Sequence, residues 1–427
     1  MTTLLLFVGT ILVLVGVHEF AHFLVGKITG VYVKEFAIGF GPKLVSFEGR
    51  ETRYSIRAIP FGGYVRFAGE DREKLSDVIP EERLLYRKPP RVRIAISLAG
   101  PLANLFVAFL VATLIAWAFG VPHIRIVDVI ADRPAAGILA PGDRILSIEG
   151  REVYTDRDVS SAIQRSRGRS LRMTVLRDGV RIPVSLVPEP AEEGGYVIGI
   201  RFGAGMTTTV TRIDPDAALF DAGLRAGDAI EEIGGRPIRT GLGLVERVEE
   251  LLPAPTLTVV IRRQDQHLTI SVPAADLDMR DLLSGLSLHY EVRRPGFFSG
   301  IALGGQQFAA YVRGLLASLR GLLTGRIAAG DALSGPVGIA QQLGEAFRLG
   351  PSAFLSIFAF FSLWLGLLNL IPFPALDGSR AAFALVELVR GKPIPLRWEG
   401  MIHAVGFLIL LGLMVLITFK DLLDLFR

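Results

Sequence analysis

The residues best suited to chemistry lie in VHEFAH, Val17 to His22. Two histidines four residues apart, with a glutamate after the first, form the pattern HExxH. On a helix, positions i and i+4 share a face, so the imidazoles of His18 and His22 can reach one metal ion. Zinc brings the pKa of a water that it binds to near 7, and Glu19 is placed to accept that water's proton. The same letters also arise by chance, or as packed histidines with a structural Glu. Location argues against both. The motif ends an apolar run, where each ionisable group costs on the order of 3 kcal/mol and is usually functional.

The elements that carry these residues read as membrane spans. Half of the 427 residues are hydrophobic. Four runs approach the ~20 residues needed to cross the hydrocarbon: Thr3 to Gly26, Ile94 to Gly120, Ala353 to Leu376, and Met401 to Phe419. No Lys or Arg precedes the first run and no small-residue cleavage site follows it, so a span rather than a signal peptide is expected. Lys27, Lys34, Lys43 and Arg50 follow the first span. RLLYRKPPRVR (Arg83 to Arg93) precedes the second, and Arg380, Arg390, Lys392 and Arg397 separate the third from the fourth. These loops are expected in the cytoplasm, with both termini and the segment from about 121 to 350 on the other side. The net charge is only +4 and the basic residues flank the spans, so a nucleic-acid partner is not expected. With no cysteine, disulfides, iron–sulfur clusters and a thiol nucleophile are excluded.

A catalytic zinc site needs a third protein ligand and one open position. His123, His267 and His289 fall in or beside the external segment. His403, early in the fourth span, could face the site. Asp377, in NLIPFPALDGSR (Asn369 to Arg380), ends the third span at the depth of the HExxH motif. Asp377 could equally cap the helical run AAFALVEL that follows. Pro372 and Pro374 interrupt the helix before it, and broken helix at membrane depth is tolerated where it lines a cavity.

The external segment contains a repeat. AAGILAPGDRILSIEGREV (Ala135 to Val153) and DAGLRAGDAIEEIGGRPI (Asp221 to Ile238) share a Gly-Asp turn, an alternating strand and a Gly turn. The pattern resembles the PDZ domain of bacterial membrane and periplasmic proteases, a module that adds an extended peptide to a sheet edge. A pair of β-rich spacers that bind nothing is the alternative.

The whole chain resembles the site-2 proteases, most closely the bacterial regulator of sigma-E protease (RseP) group. The resemblance rests on HEFAH, GFGP (Gly39 to Pro42), FGGYVRFAGE (Phe61 to Glu70), GPLAN (Gly100 to Asn104), the two repeats, SGPVGIAQ (Ser334 to Gln341) and NLIPFPALDG (Asn369 to Gly378), in that order. It implies an intramembrane zinc metalloprotease acting on single-span proteins already trimmed by a site-1-type protease, such as anti-sigma factors and remnant signal peptides. It further implies His18, His22 and Asp377 as Zn2+ ligands, Glu19 as catalytic base and Asn369 as the residue that positions the substrate backbone. The setting implied is the bacterial inner membrane, with the PDZ-like domains in the periplasm and the active site near the cytoplasmic side.

The expected fold is thus a polytopic α-helical membrane protein with four transmembrane helices, a membrane-associated β-hairpin and two tandem extracytoplasmic PDZ-like α+β domains. A first membrane part covers 1–120, with the hairpin at about 31–67 turning at Glu48-Gly49-Arg50. PDZ-like domains follow at 121–205 and 206–292. Residues 293–350 read as amphipathic helices on the membrane surface, or packed on the PDZ-like region, and 351–427 form the second membrane part. Two other functions are weighed: a non-catalytic membrane scaffold capturing peptides through the repeats, and a metal transporter using the same ligands. The scaffold needs no metal and is indifferent to Glu19. The transporter needs polar groups along its path, which the second span lacks.

Overall fold

The computed structural model describes residues 2–69, 79–191, 194–215, 217–251, 256–273, 286–326, 335–392 and 394–425. Glu70 of FGGYVRFAGE, Ser334 of SGPVGIAQ and the end of the 296–330 stretch lie outside them. The chain divides into two units, residues 1–118 with 296–427, and residues 119–295.

The first unit opens with α1 (Thr2–Ile28). An unbroken apolar helix satisfies its backbone groups internally, as a bilayer requires. Its buried residues Phe7, Thr10, Leu14, His18, His22 and Gly26 form one stripe at helical spacing. Next come β1 (Val33–Glu48) and β2 (Arg53–Phe67). The expected hairpin is part of a more folded sheet. Residues 43–48 pair with 53–57, while 33–38 pair with 53–56 on one side and 63–67 on the other. Two long strands that bend near their middles thus make four paired segments. Val31, Val33, Phe67 and Ile96 pack with Phe23 and Val25, fixing this sheet between α1 and α2. Helix α2 (Pro90–Phe119) buries Ile96, Gly100, Asn104, Ala108 and Ala112 along one face.

The second unit repeats one design. Strands β3 (Ile124–Val129), β4 (Arg144–Ile148), helix α3 (Asp156–Ser166), β5 (Leu171–Arg177), β6 (Val180–Leu186) and β7 (Ile200–Ala204) form a sheet of order β7-β3-β4-β5-β6. Then β8 (Met206–Ile213), β9 (Ala229–Ile233), α4 (Gly241–Leu251), β10 (Thr256–Arg263), β11 (Gln266–Pro273) and β12 (Leu286–Tyr290) give the matching order β12-β8-β9-β10-β11. Each copy has its own core, around Ile126, Ile145 and Val175 in the first and Leu224, Ile230 and Ile261 in the second. Helix α3 starts at a capping box in which Thr155 accepts from the Asp158 amide. The Gly-Asp of each repeat is a clamp. Asp143 takes two 2.7 Å bonds from Arg177, and Asp228 takes two 2.7 Å bonds from Arg263. Each carboxylate is shut from solvent and accepts a backbone N–H three residues earlier.

The first unit resumes with α5 (Phe297–Leu323), α6 (Pro336–Leu349), α7 (Pro351–Leu370), α8 (Asp377–Arg390) and α9 (Leu396–Leu425). Helix α5, expected on a membrane surface, instead lies antiparallel along α2. Trp117 stacks on Phe297, Gly304 abuts Thr113 and Phe308 meets Phe109. Leu315 joins Ala108 and Leu363 in one cluster. Its small and apolar face is therefore taken up by α2 and α7. The Asp421 carboxylate of α9 accepts the Gly338 amide at the start of α6, a favourable place for a negative charge. Helices α1, α2, α7 and the 397–421 portion of α9 are long and apolar enough to cross a membrane. Helix α7 stops at Leu370, short of the Leu376 end expected for the third span, because Pro372 and Pro374 cannot continue it.

Candidate metal centre

The buried stripe of α1 presents His18 and His22 one helical turn apart. The loop 371–376 then turns the chain so that α8 begins with Asp377. Leu376, not Asp377, occupies the cap position of α8. The carboxylate is directed instead at the histidines. Asp377 Oδ2 lies 2.9 Å from His18 Nε2 and 3.3 Å from His22 Nε2, and the two Nε2 atoms are 3.2 Å apart.

These spacings suit a metal. Ligands at roughly 2.0–2.1 Å from a tetrahedral zinc ion stand about 3.3 Å from each other. The donor types also suit a cation. His22 Nδ1 donates to the Ile96 carbonyl at 2.7 Å, which leaves its Nε2 with a lone pair turned toward a carboxylate and a second imidazole. With His18 in the same tautomer, three lone pairs would converge in a buried site, an arrangement that a cation between them satisfies. Both histidines are under a tenth exposed. Among the described residues, these three are the group able to hold a metal.

The remaining sequence candidates fall around this group. Glu19, outside this group, projects toward the sheet, where a Cβ on Gly63 would stand 3.3 Å from its Cγ. Asn369 lies in the last turn of α7, where its Nδ2 donates to the Leu365 carbonyl at 2.9 Å. His403, the alternative ligand, is not in the group; its Nδ1 accepts the Ala375 amide.

One glycine shapes the site without contributing a side chain. Gly100 lies against both imidazoles, and a Cβ there would stand 2.3 Å from His22 Nε2 and 2.7 Å from His18 Nε2. Only glycine leaves room for the two imidazoles. The motif GPLAN was visible in the sequence, but nothing local to it points at the histidines.

Residues 6–413 match the model of peptidase family M50. The chain is similar to the regulator of sigma-W protease RasP of Bacillus subtilis (strain 168), 30% identical over 431 residues that cover 97% of this chain and 96% of that protein. It is also 30% identical over 448 residues to the zinc metalloprotease RasP of Oceanobacillus iheyensis, covering both chains completely. The zinc metalloprotease RasP of Geobacillus kaustophilus is 30% identical over 424 residues, 96% of this chain and 95% of that one.

Proposed function

Because the chain belongs to peptidase family M50 and is a zinc metalloprotease of the site-2 type, we propose that His18, His22 and Asp377 are its zinc ligands and Glu19 its general base. The observation that carries this reading is the meeting of one carboxylate and two imidazoles from residues 355 and 359 apart in the chain. When bound, zinc supplies Lewis-acid activation of the scissile carbonyl and of the attacking water. Glu19 takes the proton from that water and returns it to the leaving amine nitrogen. The Ile96 carbonyl keeps His22 in the tautomer that offers Nε2. Asn369 holds the substrate backbone near the site, its amide plane fixed by the Leu365 carbonyl.

The substrates on this reading are single-span membrane proteins, trimmed beforehand by a site-1-type protease and cut in or near the span. A relative named as a regulator of sigma-W protease supports membrane-bound anti-sigma factors as one class. A transmembrane helix hides its peptide bonds, so it has to unwind first. A sheet supports that step, because a strand edge can hold an unwound segment by main-chain hydrogen bonds. Gly63 of β2 lies beside Glu19, and Leu44, Val45 and Phe47 of β1 are exposed apolar groups suited to lipid or to such a segment. The Lys and Arg distribution supports the ligand-bearing helix ends on the cytoplasmic side of a bacterial inner membrane. The matching strand orders of the second unit support tandem PDZ-like domains on the periplasmic side, screening what reaches the site.

The test uses the full chain in detergent with a trimmed single-span substrate. Wild type should carry zinc and cut, Glu19→Gln should carry zinc and not cut, and Asp377→Asn should lose zinc. Normal turnover by Glu19→Gln removes the mechanism. Substrate capture without cleavage by zinc-loaded wild type would favour the scaffold reading.

A further inference from the structure

The fourth apolar helix holds one ionisable group in its stretch from Met401 to Phe419, His403. Such a residue carries a cost in a membrane and calls for a role. Its Nδ1 accepts the N–H of Ala375 at 3.0 Å, and Ala375 stands two residues before Asp377.

That amide is the outward anchor of the loop 371–376. Pro372 and Pro374 have no N–H. The amide of Ile371 bonds to Leu368, that of Phe373 to Ile371 and that of Leu376 to Phe373, all within the loop or the helix before it. Only the Ala375 N–H bonds to another element, α9. Ala375 also holds φ at +78°, a left-handed conformation that a non-glycine residue keeps only when its surroundings impose it. Two contacts hold the same helix against the loop and against α8. A Cβ on Gly406 would stand 2.3 Å from Pro374 Cβ, so α9 meets the loop at backbone distance. The Phe383 ring of α8 meets the His403 ring edge-on, centroids 5.6 Å apart.

We propose that His403 is a positioning residue for the metal site: it holds Ala375 in its left-handed turn and thereby sets the Asp377 carboxylate at the distance the histidines require. The proposal rests on the reading of Asp377 as a zinc ligand. Outer partners of metal ligands typically contribute 10–100-fold in affinity, and His403 acts in this way through the backbone.

Zinc affinity of the full chain in detergent, by competition with a chromophoric chelator, tests it. His403→Phe keeps the ring but not the acceptor and should weaken binding at least 10-fold. His403→Asn, whose Oδ1 can replace Nδ1, should recover most of that loss. Gly406→Ala, with His403 intact, should weaken binding by displacing Pro374. In cobalt-loaded protein, the visible absorption bands should shift in His403→Phe and return in His403→Asn. Unchanged affinity in His403→Phe, or equal losses in the Phe and Asn variants, overturns the proposal. Wild type that binds no zinc would instead overturn the ligand assignment, so the two failures are distinct.

Discussion

Gly100 of α2 and His22 of α1 approach so closely that a single added methyl group would stand 2.3 Å from the Nε2 atom. The space beside the two imidazoles is therefore set by a residue that contributes no side chain. Gly100→Ala should lower zinc affinity by about 100-fold, the upper end of what changes just outside a metal's ligands cost. Gly305→Ala, where the nearest atom is 3.8 Å away, should bind like wild type. Metal content of the two purified variants decides the matter.

Zinc removal should abolish cleavage without unfolding the second unit, whose cores are independent of the ligand helices. Activity lost to a chelator should return with zinc and not with magnesium, because two imidazoles and one carboxylate suit zinc and magnesium prefers an oxygen shell. Recovery with magnesium alone would contradict the donor set.

The Asp143–Arg177 clamp should matter more than a surface ion pair. The carboxylate is fully buried while the guanidinium is a third exposed. Asp143→Ala leaves Arg177 partly solvated, so the cost should be about 2 kcal/mol, below the range for a fully buried pair. Asp228→Ala should act likewise on the second repeat. Hydrogen exchange should show each loss confined largely to its own sheet.

His123 gives the second unit a pH dependence. Burial, and then the nearby Arg144, push its pKa down to about 4. The unfolded chain takes up this proton below about pH 6.5, whereas the folded chain does not until near 4. The unfolded form thus binds more protons in that window, and stability falls as pH drops from about 6.5 toward 4. Above about pH 6.5 this group contributes no slope. His123→Gln should remove this component, read as a smaller change in exchange protection of 124–129 between pH 7 and pH 5.

Much of this was legible in the chain because it is local. Helical periodicity puts His18 and His22 on one face whatever surrounds them. Span length and the prolines after Asn369 follow from backbone chemistry. The repeated Gly-Asp announces two copies of one design, though not that each Asp is clamped by an Arg over thirty residues later. The segment 297–323 shows where local reading fails: an amphipathic pattern states that one face is covered, not by what. Lipid or the PDZ-like region was expected to cover it, and α2 with α7 covers much of it.

The sequence by itself determined which groups could do chemistry, on which helices they stand and near which end of each. It left Asp377 and His403 as rival third ligands, since spacing along a chain carries no distance between segments hundreds of residues apart. The tertiary structure sets the carboxylate beside the imidazoles and the rival imidazole on the loop behind it. It also gave Gly100 its meaning, because room for a metal is a property of several packed helices and is written in none of them.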